Sequence, residues 1–81
     1  MIAEIHITLK NGILDPQGKT VHHALENLGL ENIENVRMGK LIRLDLGAVS
    51  KEKALALSDE ACKKLLANPV IEDYEIQIQP D

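Results

Sequence analysis

Two adjacent histidines, His22 and His23, are the residues that most invite a reading as chemistry, because imidazole is a common metal ligand and a general base near neutral pH. Neighbours on a helix point about 100° apart, so the pair cannot turn both rings to one ion as an i, i+4 pair does. They read as solvated residues of a helix surface. His6 falls on the polar face of a strand, and no Cys, Asp or Glu stands at a metal-binding spacing from it. Cys62 lies beside an apolar helical stripe, where a thiol behaves as a small hydrophobe rather than a nucleophile. Ser50 and Ser58 lack the sequence of a nucleophile elbow, and Ser50 is placed to cap a helix. Gly39-Lys40 would belong to a phosphate loop only with glycine in place of Glu34 and Ser or Thr in place of Leu41. Asp15, Asp73 and the glutamates carry no sign of an apolar cleft that would tune them for acid-base work. No catalytic residue, metal ligand set or cofactor-binding motif is assigned.

Four short runs remain: Lys10-Asn11-Gly12, Asp15-Pro16-Gln17-Gly18, Gly39-Lys40 and Asn68-Pro69. Turn chemistry is one account of them, and a functional role for loop residues is the other. Composition narrows the partners. The net charge is −4, with nine basic residues spread along the chain, and Tyr74 is the only aromatic residue. Nucleic acid, which demands a basic footprint or stacking rings, is therefore not an expected partner. No apolar run is long enough to cross a bilayer, and the first residues lack the features of an export signal, so a cytoplasmic location and no membrane partner are expected. The single cysteine fits a reducing compartment.

The elements that must position these runs follow from hydrophobic period and punctuation. Ala3, Ile5, Ile7 and Leu9 alternate with polar residues, which predicts a strand over 2–9. Asp15 is an N-cap with Pro16 at the first helical position, Val21, Ala24, Leu25 and Leu28 follow at helical spacing, and Gly29 ends a helix over about 16–28. Ser50 caps a second helix with Ala54, Leu57, Ala61 and Leu65 as its apolar stripe, flanked by Leu55, Cys62 and Leu66, and Asn68-Pro69 stops it. Val70, Tyr74, Ile76 and Ile78 mark a last strand. The expected fold is a single α+β domain over 1–81, ordered β-α-β-α-β, with two helices on one face of a mainly antiparallel sheet.

The middle strand is the strongest structural clue. A hairpin at Gly39-Lys40 would put Val36 opposite Arg43 on one face, mixing core with solvent. As one strand over about 34–46, bent at Gly39, the residues Val36, Met38, Ile42, Leu44 and Leu46 share a face that only Lys40 interrupts. Such a strand would reach roughly 40 Å at about 3.3 Å per residue, more than so small a domain can pair internally. Its overhang predicts that the strand pairs or packs between subunits in a homo-oligomer.

Three segments, Thr8-Leu9-Lys10-Asn11-Gly12-Ile13-Leu14-Asp15-Pro16-Gln17-Gly18, Val36-Arg37-Met38-Gly39-Lys40 and Leu66-Ala67-Asn68-Pro69-Val70-Ile71-Glu72-Asp73-Tyr74, occur in the order and spacing of a known family. In them the chain resembles the PurS family, small subunits of phosphoribosylformylglycinamidine (FGAM) synthase. The resemblance covers essentially the whole chain. It implies a non-catalytic part in the fourth step of purine synthesis, joining a PurL synthetase, which activates the substrate with ATP, to a PurQ glutaminase and assisting ammonia transfer between them, in a complex that uses ATP and magnesium. It also implies that Lys10, Asp15, Gly18, Gly39, Lys40 and Asn68 shape a docking surface, and that the chain alone binds no cofactor. A small-ligand regulatory α+β dimer is the alternative, resting on fold analogy.

Overall fold

The computed structural model describes residues 1–80. Three strands and two helices run in the order β1 (Ile2–Leu9), α1 (Pro16–Asn27), β2 (Gly39–Asp45), α2 (Lys51–Ala61) and β3 (Glu72–Gln79), with a π-helical turn, Cys62–Leu66, between α2 and β3. The sheet order is β2-β1-β3 and both pairings are antiparallel. The alternation in β1 works as its sequence implies. Ala3, Ile5 and Ile7 are buried, and across the sheet Ile5 faces Ile42 and Ile76 while Ala3 faces Leu44 and Ile78. One apolar face thus runs over all three strands, as a half-buried antiparallel sheet requires.

Helix α2 covers that face, packing on β1 and β3. Its inward residues are small: Ala54, Ser58 and Cys62 are fully buried, four apart, so the helix lies close against Ile5 and Ile7. The expected stripe is met at Ala54 and corrected at Leu57 and Leu65. Leu57 is on the flank, 39% exposed, and Leu65 is 83% exposed, while Leu66 packs on the core. At Leu65 the cause is the π-helical turn, closed by the bond that the Ala67 amide donates to the Cys62 carbonyl. One extra residue in the turn shifts the phase that a 3.6-residue period assumes, so Leu66 replaces Leu65 on the inner face.

The expectation of two helices sharing one face is met by α2 alone. Of α1, only Gly18 is buried, and Leu28 just beyond its end is 77% exposed. Three strands at about 4.8 Å spacing make a sheet roughly 14 Å wide, room for one helix of about 10–12 Å diameter. The described chain is correspondingly elongated, 48 × 28 × 14 Å with a radius of gyration of 16.0 Å. A compact chain of this length would have a radius of about 12 Å.

The long middle strand is also corrected. Strand pairing of β2 begins at Gly39, opposite Thr8, although β1 runs one residue further, to Leu9, which pairs only with Glu72 of β3; residues 34–38 run on without a strand partner, and the Met38 amide donates to the Asp15 carboxylate instead. The side-chain parity nevertheless holds across the bend. Val36, Met38, Ile42, Leu44 and Leu46 are all half-buried, and the residues between them are exposed.

Candidate docking interface

All six residues singled out in the sequence lie at one end of the sheet, where β1 ends and β2 and β3 begin. Asp15 is the centre of it. It is 5% exposed, and its carboxylate is used twice: Oδ1 accepts from the Gly18 amide at 2.8 Å, the expected helix cap, and Oδ2 accepts from the Met38 amide at 2.7 Å. Those two N–H donors, the Gly18 bond first and the Met38 bond next, hold the Asp15 carboxyl below the usual carboxylate range, with the Arg37 charge adding to them against the opposing effect of burial.

Gly18 is dictated by the same contact. A Cβ there would overlap the Val36 carbonyl oxygen and sit 2.6 Å from Asp15 Oδ2. The N-terminus of α1 and the strand-like segment before β2 therefore meet main chain to main chain, an approach that only glycine permits. Gly39 is a second close approach, since a Cβ would lie 2.8 Å from the Ile7 carbonyl oxygen.

Arg37 completes the junction from the other side. Its guanidinium donates to the Ile13 carbonyl at 2.9 Å and to the Lys10 carbonyl at 3.2 Å, so residues 10–13 are clamped to the segment that precedes β2. Asp15 and Arg37 thus bind reciprocally: each carries a side chain to the other segment's backbone. Sequence reasoning did not single out Arg37, because main-chain acceptors leave no mark in a sequence.

The lysines are held at the β3 side. Lys10 Nζ stands 3.6 Å from Asp73, and Lys40 Nζ stands 3.7 Å from Glu72. Both lysines remain about half exposed, so these pairs leave their charge available and contribute less than about 1 kcal/mol each. Glu72, also missed in the sequence, accepts from the Asn68 amide at 2.7 Å, and its i+4 distance from Asn68 was the one available signal. Asn68 itself makes a turn. Its Oδ1 accepts from the Val70 amide and its carbonyl accepts from the Ile71 and Glu72 amides. For Asn68 the turn account is sufficient.

Two shallow grooves flank Asp15. One, of about 190 Å³, is lined by Ile7, Leu9, Met38, Gly39, Lys40 and Glu72 besides Asp15 and Gln17. The other, about 290 Å³, lies between Ile13, Leu14, Lys19 and Arg37. Away from this end, His22 Nε2 is 2.6 Å from the Ile33 carbonyl, a tie between α1 and the following segment, and His23 lies on the exposed surface. Burial and the charge of Asp59 push the Cys62 thiol upward, which keeps it protonated. No group of three or more possible metal-ligating side chains occurs among the described residues, and no helix among them is long and apolar enough to cross a membrane.

The family model described as PurS, phosphoribosylformylglycinamidine (FGAM) synthase, matches residues 2–80. The chain belongs to the PurS family. Among PurS relatives, the subunit from Methanocaldococcus jannaschii is 44% identical over 77 residues, covering 95% of this chain and 93% of its own, and that from Bacillus subtilis is 38% identical over 76 residues, covering 94% and 89%. The crystal structure of M. jannaschii PurS superposes with a TM-score of 0.84 at 45% identity, over 94% of this chain and 92% of that one. A chain from the structure of PurLQS from Thermotoga maritima does so with a TM-score of 0.80 at 33% identity, over 95% and 96%. The PurS fold, a three-stranded antiparallel sheet with two helices, is the fold found here. As a PurS chain it is a subunit of FGAM synthase, a ligase of purine biosynthesis, and not itself the catalyst.

Proposed function

We propose that this PurS-family chain is the joining piece of its synthase: it binds a PurL-type synthetase and a PurQ-type glutaminase, and so holds the site that releases ammonia close to the site that consumes it. The observation that carries this reading is the match over nearly the whole chain, together with the likeness to a chain of the T. maritima PurLQS structure. The physical need is plain. Ammonia that escapes to water is diluted and protonated, and the protonated form has no lone pair with which to attack an activated amide, whereas docked and shielded centres keep it reactive.

ATP and magnesium are assigned to the synthetase partner in the complex, and none of the chemistry is assigned to this chain. Its location is proposed as cytoplasmic, where purine precursors are made. Self-association into a dimer or tetramer is supported by the elongated shape, by two open sheet edges, β2 and β3, and by the exposed Leu28 and Leu30 beyond the end of α1. Lys10, Asp15, Gly18, Gly39, Lys40 and Asn68 are proposed to shape the docking end, with Lys10 and Lys40 offering charge and Asp15, Gly18, Gly39 and Asn68 setting the backbone that presents it.

Mixing the chain with matched PurL and PurQ subunits and resolving the mixture by size tests the reading directly. Co-elution of all three is expected; separate elution under every nucleotide and glutamine condition would contradict it. The small-ligand module is not favoured, since the relatives and solved structures it matches are PurS subunits.

A further inference from the structure

The groove of about 290 Å³ beside Asp15 differs in charge from the rest of this acidic chain. Its walls carry two cations, Lys19 and Arg37. Lys19 has no acidic partner among the described residues, in contrast to Lys10, Lys40, Lys63 and Lys64, which face Asp73, Glu72, Asp59 and Glu60. Arg37 gives one N–H from each of Nη1 and Nη2 to the neutral carbonyls of Ile13 and Lys10, which orient the guanidinium without cancelling its charge and without using up its donors. The one anion lining this groove, Asp15, is buried, is held ionised by two backbone amides and offsets part of that positive charge, which leaves the two cations in excess over it. Between the cations the surface is aliphatic: Ile13 and Val36 are half-buried, and Leu14 is 62% exposed. The reciprocal Asp15 and Arg37 clamps fix this geometry in advance, which lowers the ordering cost of binding there.

A carboxylate beside an aliphatic side chain is the chemistry such a surface complements. We propose that this groove docks an acidic-aliphatic segment of a partner subunit of the synthase, its carboxylate set between Lys19 and Arg37 and its aliphatic group on Ile13, Leu14 and Val36. The inference rests on the joining role proposed above and locates one of its contacts.

The test measures binding of matched PurL and PurQ subunits to the full chain at low and raised salt, for the unaltered protein and for Lys19→Glu, Leu14→Asp and Lys51→Glu. Both groove variants sit at exposed positions, so their thermal unfolding should match the unaltered chain. Lys19→Glu and Leu14→Asp are expected to weaken one partner's binding at least tenfold at low salt, with the gap narrowing as salt rises. Lys51→Glu, at the start of α2, should change binding less than twofold. Groove variants that bind both partners as tightly as the unaltered chain, while that chain assembles normally, would overturn the groove and leave the joining role intact. An unaltered chain that binds neither partner would overturn both. A Lys19→Glu change confined to the chain's own sedimentation mass, or to its binding of inorganic phosphate, would give the groove to a second copy or to a small anion and overturn the proposal.

Discussion

Asp15 and Met38, 23 residues apart, are joined by a 2.7 Å hydrogen bond in which the Met38 amide donates to the carboxylate that also caps α1. That one side chain fixes the start of a helix and the approach to a strand at once. Because both bonds favour the ionised form, they tie this end of the sheet to pH.

The sign follows from the lowered folded-state pKa of Asp15. Stability from this group is fully present above the ordinary carboxylate value, 3.8, and is lost as pH falls through the lower folded value. Asp15→Asn is therefore expected to melt below the unaltered chain at pH 7, with the gap closing as the medium is acidified into that range. Thermal melts at a series of pH values measure it; a gap that stays constant into strong acid would contradict the assignment.

Gly18→Ala should destabilise the chain by about 1–3 kcal/mol, the usual cost of forcing a group into filled space, because the new methyl overlaps the Val36 carbonyl oxygen and crowds the Asp15 carboxylate, which the Gly18 and Met38 amides hold in place. Denaturant unfolding reads the loss. A variant as stable as the unaltered chain would mean that α1 and the 36–38 segment can move apart freely.

Ser58 is fully buried against the sheet, and its hydroxyl has no hydrogen-bond partner among the described residues. Replacing it by alanine removes the cost of that unsatisfied group while leaving a small residue for the close helix-to-sheet approach. Ser58→Ala is expected to raise stability by about 1 kcal/mol in equilibrium unfolding, and a loss of similar size would show that the hydroxyl is satisfied in solution.

Lys40→Ala removes an exposed charge whose pairing with Glu72 contributes little to folding. The melting temperature should shift by less than about 2 °C, consistent with a change of at most a few tenths of a kcal/mol. Assembly with the partner subunits should weaken. Full assembly by the variant would remove Lys40 from the docking surface.

Much of this arrangement was legible in the residues. Period two in Ala3, Ile5 and Ile7, the Asp15-Pro16 cap, the Ser50 cap and the shared parity of Val36 through Leu46 each report a local rule that the fold obeys. The reasons for the misses are equally specific. Leu65 and Leu66 exchange places because a π-helical turn breaks the period used to rank them. Residues 34–38 read as strand but find no strand partner: the Met38 amide goes to the Asp15 carboxylate, and β1 reaches only one residue past Thr8. Arg37 was passed over because its partners are carbonyl oxygens, which every residue has. The clustering of Lys10, Asp15, Gly39 and Lys40 at one end of the sheet depends on strand register, which sequence spacing alone does not set.

The central claim is that this chain brings two other subunits together. The most direct measurement is glutamine-dependent FGAM synthase activity of matched PurL and PurQ, with and without the chain, under conditions where ammonia-dependent activity of PurL is also followed. Glutamine-dependent turnover that appears only when the chain is added, with the ammonia-dependent rate little changed, is the predicted result. Equal glutamine-dependent turnover in its absence would contradict the account.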